Sequence, residues 1–183
     1  MVRRVFVLCT GRCGSVTLAR ALQAHVLSHT VGHESRAHLI GPGRLDYPEG
    51  HVEVDNRLSW FLGELGKRFG DEPTYVHLTR DPEQVAASYA RRYGVRAGIA
   101  PAYASGIIRA RSPRTDAERL AAARAYVRTV TANIEAFLAD KTRVVHMGIA
   151  APEPGLSRLW DLAELSGDRL AAADALEQRH NAS

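Results

Sequence analysis

RVFVLCTGRCGSVTLAR, residues 4–20, decides how the chain is read. The apolar run Arg4–Cys9 reads as a buried strand. Residues 15–27 read as a helix with Leu18, Ala21, Leu22 and Val26 on one face. Between them lie two glycines, an arginine and a hydroxyl-rich helix start. A tight turn alone needs Gly11 or Gly14 but has no use for Arg12 beside Ser15 and Thr17. A helix N-terminus behind a glycine loop is an anion site, because free backbone N–H groups and the helix dipole both favour negative charge. Ser15 and Thr17 add hydroxyl donors there, and Arg12 adds a charged fork. The stretch is therefore read as a phosphate-binding loop. It is not a Walker A loop, since Gly14 is followed by Ser15 and Val16 with no lysine.

Outward from this stretch, strands and helices alternate. Residues 29–32 read as an edge strand, 33–51 as loop, 51–54 as a strand, and 57–69 as a helix with Leu58, Phe61, Leu62 and Leu65 inward. Residues 74–79 are the second clear strand, and Asp81-Pro82 opens a helix to about Arg92. The stretch 93–114 reads as a long loop or lid, with Asp116 capping a helix to about Ala139. Residues 142–147 form a third clear strand, 155–165 a helix, and the tail is helical from Asp168 to Gln178. This pattern predicts one α/β domain spanning 1–183, a three-layer sandwich around a central, mostly parallel sheet. Ligands of such sheets bind at the carboxyl ends of the strands.

Composition removes several function classes. The 183 residues carry a formal charge of +4 with 45% hydrophobic and 24% charged residues, ordinary for a soluble globular protein. The arginines interleave with Asp and Glu, without a lysine- and aromatic-rich stripe, so no nucleic-acid partner is expected. Apolar runs fall short of the ~20 residues a bilayer requires, and Val5–Cys9 is too short for a signal-peptide core, so the expectation is a cytoplasmic protein without membrane contact. Cys9 and Cys13 form neither a disulfide framework nor a zinc site, and both are expected reduced. His25, His29, His33 and His38 lie close in sequence, but pairs without a third ligand bind metal poorly, so no metal is expected.

The layout resembles the sulfotransferases that use 3′-phosphoadenosine 5′-phosphosulfate (PAPS). In that family a loop of the form [KR]-x-G-[ST]-x-[ST] follows the first strand and binds the donor's 5′ phosphosulfate. Arg12-Cys13-Gly14-Ser15-Val16-Thr17 matches it, with cysteine where serine is commoner. VHLTRDPEQVAASYARR is similar to the family's 3′-phosphate segment, which implies that Arg80 and Ser88 bind that phosphate. Gly32-His33-Glu34-Ser35-Arg36 fits the Gly-x-Glu-x-Arg segment that carries the catalytic base in the protein-tyrosine branch. Glu34 is then the base and Arg36 its partner, with His33 the rival because other branches use histidine. His146-Met147-Gly148 departs from the Tyr-Glu-Asp often found in the family, whereas the terminal RHNAS is similar to a segment ending near the donor site.

The resemblance implies transfer of a sulfuryl group from PAPS to a hydroxyl of a small-molecule or carbohydrate acceptor, with Arg12 neutralising charge on the leaving phosphate. Two other readings stay open: an atypical P-loop phosphotransferase or hydrolase, and a non-catalytic nucleotide-binding module. Neither the acceptor nor the oligomeric state is legible in the sequence.

Overall fold

A computed structural model describes residues 3–95, 98–111, 113 and 115–180. Met1-Val2, and the Asn181-Ala182-Ser183 end of the donor-site-like segment, lie outside them. Five strands, β1 (Val5–Leu8), β2 (Thr30–His33), β3 (His51–Val54), β4 (Thr74–Thr79) and β5 (Val144–Gly148), form one sheet in the order β2-β3-β1-β4-β5. Every pairing is parallel, with Val5 opposite both Val52 and Thr74. β1 and β3 are buried along their whole length; β1 accordingly reads as an unbroken apolar run, whereas β3 carries the buried polar residues His51 and Glu53.

Seven α-helices are found among the described residues: α1 (Ser15–His25), α2 (Leu62–Phe69), α3 (Pro82–Arg91), α4 (Ile99–Ala102), α5 (Asp116–Leu138), α6 (Glu153–Ala163) and α7 (Arg169–His180). They cover both faces of the sheet, giving the three-layer arrangement. On one face Phe6 meets Phe69 of α2 with ring centroids 5.1 Å apart, and Tyr75 meets Phe137 of α5 edge-on at 5.2 Å. On the other face the Thr74 hydroxyl donates to the Leu162 carbonyl of α6, since neighbouring strand residues point to opposite sides. α7 packs against α1 and α6.

Boundaries differ from the sequence reading where local polar groups intervene. The expected helix 57–69 opens instead with a 3₁₀ turn, Asn56–Trp60, because the Asp55 carboxylate accepts from the Arg57 N–H at 2.7 Å directly at the end of β3. Thr115, not Asp116, caps α5: its hydroxyl accepts from the Glu118 N–H while the Glu118 carboxylate accepts from the Thr115 N–H. Within 93–114 the chain forms α4 and a π-helical turn, Tyr103–Ile107. α1 stops at His25 because Val26 turns extended and bridges Gly167, with the Leu27 N–H donating to the Ser166 carbonyl and the Asp168 N–H to that of His25. No helix among the described residues is long and apolar enough to cross a membrane.

α6 lies unusually close to β5. A Cβ on Gly155 would sit 2.8–2.9 Å from Met147 side-chain and backbone atoms. Helix propensity alone favours alanine over glycine by about 1 kcal/mol. Here the contact outweighs it, so Gly155→Ala should lower stability by about 1–3 kcal/mol, read as a reduced urea midpoint.

Candidate functional site

The chain leaves β1, crosses β3 to reach β2, returns to β3, and only then moves to β4 on the other side of β1. The carboxyl ends of β1 and β4 therefore flank the switch point, where parallel sheets open a crevice. The segment after β1 and α3 after β4 both border it.

The backbone from Gly11 to Gly14 is left-handed at three positions, with φ of 76° at Gly11, 56° at Arg12 and 91° at Gly14. Glycine is required at Gly14 for a second reason: a Cβ would lie 2.6 Å from the Ile149 side chain. At Gly11 it would run into the Tyr89 hydroxyl and the Asn56 amide. Arg12 is the strained non-glycine residue of the turn. Its position turns the guanidinium toward α3, where Nε donates to the Ser88 hydroxyl at 3.1 Å.

Buried donors hold the start of this turn. The Tyr89 and Tyr126 hydroxyls both donate to the Thr10 carbonyl, at 2.7 and 2.8 Å, and the Ser59 hydroxyl donates to that of Cys9 at 3.2 Å. Burial pushes both tyrosine pKa values well up, so the hydroxyls stay protonated as donors. Gly14 caps α1 with no side-chain hydrogen bond, and the first turn holds no acidic residue. The N–H groups that open an α-helix lack intrahelical partners, so this end is an unopposed positive terminus.

The sequence-selected residues fall into three groups. Arg12, Ser15 and Ser88 come together with His33, whose Nε2 lies 3.4 Å from the Ser15 hydroxyl, while Val16 is exposed and Thr17 half-buried beside them. Cys13 is fully buried with its side chain in the core, so its thiol offers no contact to a ligand there. Both cysteines are free, and a hydrogen bond between them raises the Cys9 pKa and lowers that of Cys13. Arg80 stands apart: its Nε donates to Gln84 one helical turn on, and Asp81 caps α3 by accepting from the Gln84 N–H. Ser88 pairs with Arg12 rather than lying free on the surface.

Glu34 follows β2 in a left-handed conformation, φ 50°. Its carboxylate meets Arg57 at 2.5 Å, not Arg36, which donates to the Gly43 carbonyl instead. Adjacent residues thus part: His33 turns to the loop after β1, and Glu34 to the turn after β3.

Sequence reasoning missed the scaffold beneath this segment. Glu53, fully buried in β3, accepts from the Ser35 N–H at 2.8 Å and the Ser35 hydroxyl at 2.5 Å, and pairs with His51 at 2.9 Å. Burial raises its pKa, but the hydrogen bonds from His51 and Ser35 outweigh that and hold the carboxyl below its ordinary range. Asp55 likewise is buried and pairs with Arg44 at 2.6 Å. A lone Glu and Asp inside an apolar strand, HVEVD, were the available signal. Among the described residues no group of three or more His, Cys, Asp or Glu is placed to hold a metal.

No family model, curated protein or solved structure matches the chain.

The Glu53 contacts carry a pH signature. A depressed folded-state pKa adds stability that is complete above the ordinary value of 4.5 and fades as pH falls through the lower folded-state value. Glu53→Gln should therefore cost about 1.5–3 kcal/mol at pH 7. In urea titrations the gap between the two proteins should close as the pH falls below that ordinary value.

Proposed function

We propose that this protein transfers a sulfuryl group from PAPS to a hydroxyl acceptor. The observation that carries the reading is the Arg12–Ser88 hydrogen bond, which joins two segments 76 residues apart beside an uncapped helix start. Those segments are the two that resemble the donor-binding elements of sulfotransferases. The donor's phosphosulfate would lie along the Gly11–Thr17 turn, met by backbone N–H groups, Ser15 and Arg12. Its 3′ phosphate would be held by Ser88 and by Arg80, released from Gln84. The strand order supports the placement, since both segments border the β1/β4 switch point.

In the transfer, the acceptor oxygen forms a bond to sulfur as the bond from sulfur to the bridging phosphate oxygen breaks. The acceptor proton passes to Glu34, and the products are a sulfate ester and 3′-phosphoadenosine 5′-phosphate. Arg12 meets the charge that builds on the leaving phosphate, an interaction strongest in the transition state. His33, bonded to Ser15, positions the loop. Glu34 is favoured as the base because its partner Arg57 lines a cavity able to hold an acceptor.

Calorimetric titration tests the donor assignment. The protein should prefer 3′-phosphoadenosine 5′-phosphate over 5′-AMP by at least tenfold, about 1.4 kcal/mol, the worth of one charged hydrogen bond. Arg80→Ala should erase the preference. Equal affinities, or tighter magnesium-dependent binding of ATP, would overturn the reading.

Kinetics test the roles. Arg12→Ala should slow single turnover more than it weakens donor binding. Glu34→Gln should lower transfer by roughly 10²-fold or more at unchanged donor affinity, and His33→Ala much less. The reverse ranking would give the proton to His33.

A further inference from the structure

Beyond the Arg57 side of the site lies an open cavity of about 390 Å³, bordered by the segment 37–44, the turn after β3, and the stretch 99–107. Its wall is apolar and aromatic: Leu39, Trp60, Phe61, Ile99, Tyr103 and Ile107. Ile107, on this wall, is exposed to solvent. The π-helical turn shapes this wall. The Ile108 N–H donates five residues back to the Tyr103 carbonyl, and such turns recur where a helix has been distorted for a site.

The charged and phenolic groups of the wall are already engaged with protein. The Tyr103 hydroxyl pairs with that of Thr129 at 2.9 Å. The buried Arg44 guanidinium donates to Asp55 and the Tyr47 hydroxyl and lies over the Phe61 ring. Arg57 is held by Glu34. A polyhydroxylated sugar entering here would give up the water around most of its hydroxyls with too few partners to replace it, a cost of about 1–3 kcal/mol per buried group left unpaired. An apolar ring system loses nothing and gains the burial of its own surface and that of the exposed Ile107. The charged pair sits at one margin, with both side chains about one-third exposed (37% and 32%), so a molecule in the cavity has one polar direction available to it.

We propose that this cavity binds a compact, ring-bearing apolar alcohol carrying a single hydroxyl, oriented with that hydroxyl toward Glu34 and Arg57. Binding stands on the cavity itself; only the fate of the hydroxyl rests on the sulfuryl-transfer reading. The proposal narrows the acceptor class from hydroxyl compounds in general to apolar ones and sets carbohydrates aside.

The test is calorimetric titration of the full chain with 1-tetralol and, as a sugar of similar size, methyl glucoside, each with and without 3′-phosphoadenosine 5′-phosphate. Saturable binding of 1-tetralol is expected, at least tenfold tighter than that of the sugar. Ile107→Glu, at an exposed position, should weaken 1-tetralol at least tenfold and leave nucleotide affinity unchanged. Trp60→Ala should do the same, with nucleotide affinity reporting that the variant is folded. Sugar binding as tight as that of 1-tetralol, or 1-tetralol binding indifferent to both substitutions, would overturn the proposal. Nucleotide binding without 1-tetralol binding sinks the cavity assignment alone. Binding of 1-tetralol without nucleotide preference sinks the transferase reading alone.

Discussion

The Thr10 carbonyl, accepting from two buried tyrosine hydroxyls at once, is the constraint on which the candidate site depends. One comes from α3 and the other from α5, so a single oxygen at the exit of β1 ties the loop to both of these helices. With the carbonyls of Cys9 and Thr10 drawn toward the protein, the turn that follows is fixed before it reaches its left-handed residues. The hydrogen bonds offset the strain of Arg12 and let an otherwise disfavoured backbone persist. α3 contributes twice, since Ser88 holds Arg12 and the next residue, Tyr89, holds Thr10.

The same tyrosines link the loop to the cavity. Tyr126 packs edge-on against Tyr89 at 5.2 Å and against Tyr103 at 5.7 Å, while Trp60 lies 6.1 Å from Tyr103. This aromatic row runs from the backbone of the loop to the wall of the cavity. Its hydroxyls serve different ends, Tyr89 and Tyr126 facing the loop and Tyr103 facing Thr129. Packing and polar satisfaction are met by the same residues, which is why the region holds buried polar groups without leaving them unpaired.

Much of this was legible in the residues. The apolar run at 4–9 and the segment at 74–79 marked β1 and β4, and the short segments at 29–32 and 51–54 gave β2 and β3, the first of them one residue early. Their alternation with helical periodicity was enough for a parallel α/β sheet. The glycines, arginine and hydroxyls of the Gly11–Thr17 stretch singled it out, but nothing in the sequence paired Arg12 with Ser88. What stayed hidden depends on distance in sequence. Nothing near Glu34 marks Arg57 as its partner, because the pairing exists only once β2 lies beside β3. Ser59 and Tyr126 look like ordinary helix residues until the sheet brings them under the loop. The 3₁₀ turn at Asn56–Trp60 replaced a helical start because Asp55 competes for the first free N–H, a local effect that hydrophobic periodicity does not register.

The docking of α7 on α1 bears on the order in which the chain can mature. α1 follows β1 almost at once in synthesis, yet the bridge from Val26 to Gly167 and the bond from the Asp168 N–H to the His25 carbonyl are supplied by residues made more than a hundred positions later. At translation rates of 5–20 residues per second, that is a wait of roughly 10–30 s. During it the flank of α1 that α7 later covers has no partner, although β2 and β3 already back the opposite flank. The nascent protein is thus obliged to carry its earliest helix half-dressed until the last one emerges, a vectorial vulnerability set by topology rather than by the stability of the finished molecule.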